Sequence, residues 1–588
     1  MRARKIATCD AETDPFEHGK VPHPFIWGYY DGKKFLTFDS TKSFVQFIVK
    51  KNIILFAHNG GKFDFMYLIQ FLITTKIRSV KVQIISGRVV SVKLGNAELR
   101  DSFAAVPQGL ASIDKDEIEY WKMGRDVRND YMPEIINYLK GDCVKLYNLM
   151  SKYMEIAGKK KTISSNALYS AKKMGIDPGK TNYAFDSKFR RFYFGGRTQC
   201  FQPGEHKNVT VVDINSSYPY AMIHDHATGS HQDFIATDSL DGLDHEQINR
   251  AFIRLKCFAH GCFPTKNEKT KEMSFPNAYG EYFVTGWEYN TAKELGLIED
   301  ETIFTVDYSP KTINFFKYVN HWYEYKAAHN KKTHPIEYTI GKILMCSLYG
   351  KLAQNIENYW DYKIVPLDTE ICRDYMEGEK PFYCANCGEM DHEHGWSKTG
   401  IAFGDLTLHC RESLWRAQFK YGAQWRGQLL YKNVATGASI TGFARAYLLR
   451  AIASVGLGDV IYVDTDSLIM REDADFSGIP ISPRLGDWEI EIIDAPRGLF
   501  VGKKTYGIDL GNNEPCTCNH MRKICKRHKI ASKGSKLTFS DIEEIARGGE
   551  IQWKNEAPSF SLLTGKLPVA DVIDNPEMFL VRSIRQTA

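Results

Sequence analysis

The chain has 588 residues and a mass of 67.2 kDa, with 43% hydrophobic and 13% aromatic residues. It is too long for one ordinary domain and has apolar material for several buried cores, so a multidomain globular protein is expected. The net charge of +5 and pI near 8.3 are too weakly basic to identify a nucleic-acid partner on their own.

No apolar run approaches the roughly 20 residues needed to span a bilayer. The first chemistry-bearing motif begins at Cys9 and Asp10, leaving no room for a cleaved signal. Thirteen cysteines, mostly scattered, argue against a disulfide framework and for a reducing compartment. The expectation is a soluble cytoplasmic protein, in the host cell if the chain is viral, with nothing that demands more than a monomer.

In chain order, KIATCDAET and IILFAHNG read as buried strands, FDFMYLIQFLITT as a helix and VKVQIISGRVVSVKL as a β-hairpin. A helix follows from about Pro133 to Ile156, and the lysine-rich Ala157 to Thr162 reads as a linker. Val209 to Ile214 and Val460 to Ile469 read as strands separated by a long helical middle, so one sheet is assembled from distant segments. Two polar, cysteine-bearing stretches, Glu370 to Trp396 and Gly511 to Lys526, look inserted. Between Val501 and Lys536 nine Lys or Arg stand against two acids, Asp509 and Glu514; this would attract a phosphate backbone, or form an ordinary solvated surface.

The chemistry starts from YVDTDSL, where Asp464 and Asp466 stand two apart between apolar residues. On a strand or hairpin that spacing puts both carboxylates on one face. VVDINSSYPYAM places Asp213 at the end of another apolar strand, and three aspartates from two strands suit a pair of hard cations for phosphoryl transfer. In KILMCSLYGKLAQN, Lys342, Cys346 and Tyr349 fall on one helical face. Lys342 could neutralise a triphosphate and Tyr349 pack under a base pair, whereas Leu344, Met345, Leu348 and Leu352 would equally suit a core helix.

A second set precedes the first. DAET gives Asp10 and Glu12 on one strand face, HNGGKFD gives Asp64 beside a Gly-Gly turn, and YLKGD gives Tyr138 and Asp142 one helical turn apart. Four carboxylates and a phenol could form another two-metal site, although each piece alone is more often surface charge.

Together with GKKTYG at Gly502 to Gly507, the first set closely resembles motifs A, B, C and KxY of family B DNA polymerases, in chain order. The second resembles the three proofreading exonuclease motifs. The resemblance covers Lys5 to about Gly549. It implies an α/β multidomain protein, with a ribonuclease H-like exonuclease domain before a right-hand polymerase of palm, fingers and thumb. It further implies a DNA-directed DNA polymerase with 3′→5′ exonuclease activity, using Mg²⁺ or Mn²⁺, two ions per site.

By matching position, Asp213 and Asp466 would be the principal polymerase ligands, with Asp464 nearby and Tyr218 as the gate against ribonucleotides. Lys326, Lys342, Cys346 and Tyr349 would face the incoming nucleotide, and Lys504 and Tyr506 would grip the primer terminus. In the exonuclease, Asp10, Glu12, Asp64 and Asp142 would hold metals and Tyr138 would orient the attacking water. Asn59, Phe63, Ser102, Phe103, Lys115 and Tyr120 match single-strand contacts of the protein-primed branch, and stacking and phosphate pairing would hold a frayed primer without reading its sequence. Three departures stand out: Cys346 where the family has Asn, Phe103 for an aliphatic residue, and one extra residue in HNGGKFD.

FYFGGRT, with Tyr193, Gly195 and Gly196, resembles the YxGG motif that coordinates template in protein-primed polymerases. The resemblance divides the chain into an exonuclease at 1–158, palm at 159–224 and 441–532, fingers at 319–355 and thumb at 533–588. Insertions resembling terminal-protein regions 1 and 2 occupy 225–318 and 356–440. It also implies a terminal priming protein and strand displacement, with primer-template DNA, single-stranded DNA and dNTPs as the other partners and no membrane. A relative that extends ordinary nucleic-acid primers, or a silent DNA-binding scaffold, are the alternatives. CANCG with nearby histidines (Cys384, Cys387, His392, His394) and CTCNHMRKICKRH (Cys516, Cys518, His520, Cys525, His528) are candidate Zn²⁺ sites, or reduced thiols.

Overall fold

The computed structural model describes residues 4–74, 80–109, 118–355, 432–518, 525–562, 568 and 578–586, and the backbone of five strands between 359 and 420. The N-terminal unit is built on a sheet whose central strand, Lys5–Thr13, pairs antiparallel with Pro24–Tyr30 and parallel with Ile53–Ala57. Ile53–Ala57 runs parallel to Ala97–Asp101, and the hairpin of Val80–Ile85 and Arg88–Leu94 extends the sheet. Tyr359–Pro366 then pairs with Val80–Ile85, so a segment far along the chain continues the same sheet to twelve strands among the described residues.

The apolar run IILFA is buried along its whole length because both faces of its strand are covered. The Met132–Ile156 helix, with Pro133 in its first turn, buries Ile135, Leu139, Leu146, Leu149 and Met150 at helical spacing. Each such side chain contributes roughly 1.5–3 kcal/mol of burial. Phe560, Leu562, Met578 and Phe579, from the far end of the chain, pack into the same core as Ala7, Leu55 and Phe65.

The second sheet is antiparallel and is assembled as the sequence implies. Its order is Trp488–Ala495, Val209–Ile214, Ser467–Met470, Val460–Asp464, Thr198–Cys200. The Val434–Val455 helix covers it, packing Leu448, Ile452 and Val455 on Val212, Ile214 and Val463. The helices Phe316–Ala328 and Pro335–Leu352 pack together through Tyr318, Trp322, Leu344 and Leu348.

The expected helical middle needs correction. Between Asp213 and Lys342 lies a four-stranded antiparallel sheet of Ile235–Thr237, Ile298–Tyr308, Ala251–His260 and Asn277–Thr285. Its central strand AFIRLKCFAH shows the reason: over its last seven residues inward Leu255, Cys257 and Ala259 alternate with more exposed positions, a period of two. A fourth sheet joins Gly204–His206, Arg497–Gly502, Thr505–Asp509 and His528–Ser532, under the helix Phe539–Ala546.

Candidate active sites

In the N-terminal unit Asp10 and Glu12 share a face of Lys5–Thr13, and the Met132–Ile156 helix brings Asp142 over them. Carboxylate oxygens of Asp10, Glu12 and Asp142 all lie within 4.8 Å of one another. Asp64 opens the Asp64–Thr74 helix, and burial, with the charge of Asp10, raises its carboxyl well above the usual range. Its Oδ1 is buried and takes no hydrogen bond among the described residues. Hard oxygen donors in that setting suit Mg²⁺ or Mn²⁺.

Tyr138 sits one turn before Asp142, its hydroxyl 3.1 Å from that of Tyr120. Burial, then the charges of Asp142, Glu12 and Asp10, push the phenol far above its usual range, so it stays protonated.

The extra residue of HNGGKFD belongs to a tight turn. Asn59 is left-handed at φ 57°, and a Cβ on Gly61 would fall 1.9 Å from the Val89 carbonyl oxygen. Arg88 joins this turn to the next strand, donating to Asn59 Oδ1 and Asp101 Oδ2 at 2.7 Å each, and its guanidinium lies 4.6 Å from the Phe103 ring centroid. Ser102 is buried, with its hydroxyl 3.0 Å from His58 Nδ1, and Phe63 packs against Phe16, Tyr67 and Phe560. Lys115 lies outside the described residues.

Asp213, Asp464 and Asp466 come together on the second sheet. Asp213 pairs with Ser467 on one side and Glu489 on the other. Asp464 ends its strand and pairs with Ser467 across a turn of Thr465 and Asp466, so the spacing reads as a hairpin. Thr465 is left-handed at φ 64°, and its amide donates to the Arg197 carbonyl at 2.6 Å. Burial, then the charges of Asp466 and Glu491, raises the Asp213 carboxyl to about 7; burial and Asp464 raise Asp466 to about 6.

Lys504 Nζ donates to both oxygens of Asp464, at 2.9 and 3.1 Å, and Thr198 Oγ1 donates to Oδ1 at 2.9 Å. Tyr506 is buried against Tyr462 and Phe500. Tyr218 stacks on Tyr349 with centroids 4.0 Å apart and planes 15° apart. The exposed Lys342 stands one helical turn from Cys346. Burial pushes the Cys346 thiol up to about 11, while the ammonium groups of Lys342 and Lys326 draw it down.

The two glycines of FYFGGRT do different things. A Cβ on Gly196 would fall 2.5 Å from the Thr465 side chain, whereas Gly195 faces open space. Arg445 holds this loop, donating to the carbonyls of Phe194 and Gly195 at 2.7 and 2.8 Å. It also pairs with Glu288 at 2.7 and 3.0 Å, and both side chains are 2% exposed. Tyr193 is half-buried in the same loop.

Sequence reasoning missed the Arg88–Asp101 and Arg445–Glu288 pairs, and also Glu489 and Glu491. The last two carried a signal, since EIEII after Trp488 alternates acid and apolar residues on a strand beside Asp213. Of the two thiol clusters, Cys516, Cys518, Cys525 and His528 come together. His520, Cys387, His392, His394 and the side chain of Cys384 lie outside the described residues.

A family model described as DNA polymerase type B, organellar and viral, matches residues 111–381. A DNA-directed DNA polymerase of Enterobacteria phage PRD1 is 30% identical over 598 residues, covering 95% of this chain and 96% of the relative. A probable DNA polymerase of Agaricus bitorquis is 23% identical, covering 86% of this chain and 69% of its own. Among solved structures, Phi29 DNA polymerase complexed with primer-template DNA matches over 100% of both chains with a TM-score of 0.71 at 17% identity. Its ternary complex with primer-template DNA and incoming nucleotide matches with a TM-score of 0.69. The fold is thus the expected one, a mixed α/β exonuclease-type unit joined to palm, fingers and thumb. The chain belongs to the organellar and viral type B DNA polymerases and is a DNA-directed DNA polymerase.

Proposed function

We propose that this polymerase extends a primer at the Asp213, Asp464 and Asp466 centre, degrades mispaired 3′ ends at the Asp10, Glu12, Asp64 and Asp142 centre, and starts chains on a protein hydroxyl. The observation that carries the two-activity reading is the pair of carboxylate clusters on two separate sheets, one of them three carboxylates within 4.8 Å. Mg²⁺ or Mn²⁺ ions at these carboxylates would lower the pKa of the attacking oxygen and neutralise the leaving group.

The remaining work falls to the chain. Asp213, on its strand, and Asp466, in the turn before the adjoining strand, supply carboxylate oxygens and would fix where the primer end meets the α-phosphate. Lys342 and Lys326 meet the triphosphate charge. Tyr349, stacked on Tyr218, would form a floor for the nascent base pair, and Tyr218 would act as the gate against a ribose 2′-hydroxyl. Lys504 holds Asp464 until a primer phosphate competes for its ammonium. At the other centre, protonated Tyr138 aligns water by hydrogen bonding and does not act as the base.

The partners are primer-template DNA, a single-stranded 3′ end and dNTPs. Protein priming is supported by the YxGG-like loop held by Arg445, and by the sheet inserted within 225–318, the region that resembles a terminal-protein contact. The setting is the cytoplasm, of a host cell if the chain is viral.

The test is Mg²⁺-dependent extension and degradation of a labelled primer–template by wild type, Asp466→Ala and Asp10→Ala. Loss of extension alone in the first variant and of degradation alone in the second supports two centres; loss of both activities in either variant refutes the separation. Transfer of a labelled dNMP to a hydroxyl of a co-expressed protein tests priming, and extension of ordinary primers with no such transfer rejects it.

A further inference from the structure

The strand that follows Lys504 and carries Tyr506 has a partner strand from a later part of the chain. These strands, Thr505–Asp509 and His528–Ser532, pair so that Asp509 stands opposite His528. Donor atoms of Cys516, Cys518, Cys525 and His528 all lie within 4.8 Å of one another. The sulfurs of Cys518 and Cys525 approach the same atom, His528 Nδ1, at 3.3 and 3.7 Å. An imidazole nitrogen has one proton or one lone pair and can satisfy a single thiol. Two sulfurs on it, with a third close by, therefore describe a shell around a common point.

The spacing fits a tetrahedral ion. With Zn–S about 2.3 Å and Zn–N about 2.0 Å, sulfur and nitrogen ligands stand about 3.5 Å apart. The opposite ring nitrogen, Nε2, faces Asp509 Oδ2 at 3.9 Å, which places a carboxylate on the side where one orients a metal-bound imidazole, at more than hydrogen-bond distance. The ring is held from a third side by stacking on Phe539, centroids 4.3 Å apart and planes 13° apart. Cys518 packs against the apolar cluster of Leu499, Val501, Leu537 and Phe539. Three thiols and an imidazole select zinc over Mg²⁺, whose ligands are oxygens.

We infer that Cys516, Cys518, Cys525 and His528 form a structural zinc site that clamps the end of the strand pair bearing Lys504 and Tyr506. The site stands apart from both carboxylate centres and does not depend on the proposed priming or proofreading. Asp509 is its positioning residue.

Full-length protein produced with zinc and purified without chelator is expected to hold zinc by elemental analysis, and Cys516→Ser/Cys525→Ser to lose about one equivalent. A companion Cys384→Ser/Cys387→Ser variant separates the other thiol cluster, whose own zinc content must not change that loss. Cobalt loaded into the wild type should give thiolate-to-metal absorption that the Cys516→Ser/Cys525→Ser variant lacks. Asp509→Asn should retain the ion but bind it about tenfold more weakly. Alkylation of the wild type, mapped by mass spectrometry, is independent of how any variant folds: the exposed Cys516 should be protected until a chelator is added. Equal zinc in wild type and Cys516→Ser/Cys525→Ser, iron in place of zinc, or Cys516 alkylated equally with and without chelator overturns the assignment.

Discussion

At the N-terminal centre the side-chain charges acting on Asp64 are those of other carboxylates, Asp10 and Asp101. At the palm centre Asp213 and Asp466 also feel acids, but Lys342, Lys529 and Lys504 oppose them, and Asp464 is already ion-paired. In the first arrangement Arg88 pairs with Asp101, and the clustered carboxylates of Asp10, Glu12 and Asp142 suit a bound cation. The second carries lysines of its own beside its carboxylates. Under the proposed roles, a centre that cuts needs to hold metal and water, whereas one that selects and positions a triphosphate needs movable positive charge.

This contrast can be broken at several points. The largest effect is expected from the ligands themselves: Asp466→Ala should lower extension by roughly 10⁴-fold with degradation retained, and Asp10→Ala the reverse. Gly61→Ala should come next. Its methyl would drive into the Val89 carbonyl, so a stability loss of about 1–3 kcal/mol and failed degradation are expected, with extension within about twofold. Thermal unfolding with both assays checks this, and unimpaired degradation would show that the turn is not tightly packed.

The metal dependence carries a sign. Asp213 titrates near 7 in the folded protein against an ordinary 3.8, so between those values the native state binds more protons than the unfolded one. Metal-free stability from this group therefore falls as pH rises through that window. Mg²⁺ binds the ionised form, so its shift of the unfolding midpoint should be larger near about pH 8 than near about pH 5.5. Equal shifts would mean that Asp213 is not a ligand. The smallest effect is expected at Cys346, whose thiol stays neutral between two ammonium groups: Cys346→Asn should leave turnover within about tenfold, and a far larger loss would show that the thiol is required.

What was legible in the sequence was what periodicity exposes. Asp10 with Glu12, Tyr138 with Asp142, and Asp213 at the end of VVDI follow from strand and helix spacing, and each took its expected place on its element. Groups that work through distant partners were hidden. Arg445 holds the Gly195 loop from a helix 250 residues away, and its own counter-ion Glu288 comes from a third element. Glu491 and Lys529 act on Asp213 from other strands; the alternation of EIEII marks Glu491 as a strand residue without naming its partner, and the local pattern of Lys529 gives no sign of one. The sheet between Asp213 and Lys342 was legible in the alternation of AFIRLKCFAH, but the helical segments around it masked that period.

Phe560, Leu562, Met578 and Phe579 fill the core that carries Asp10 and Asp64, and the strand bearing Glu489 and Glu491 completes the sheet that carries Asp213. During translation, then, neither centre can be finished early: the palm waits for residues up to Ala495, and the N-terminal core for residues up to Phe579. The sheet that carries Asp213 would therefore be complete before the N-terminal core, whose last buried side chains are made near the end of synthesis.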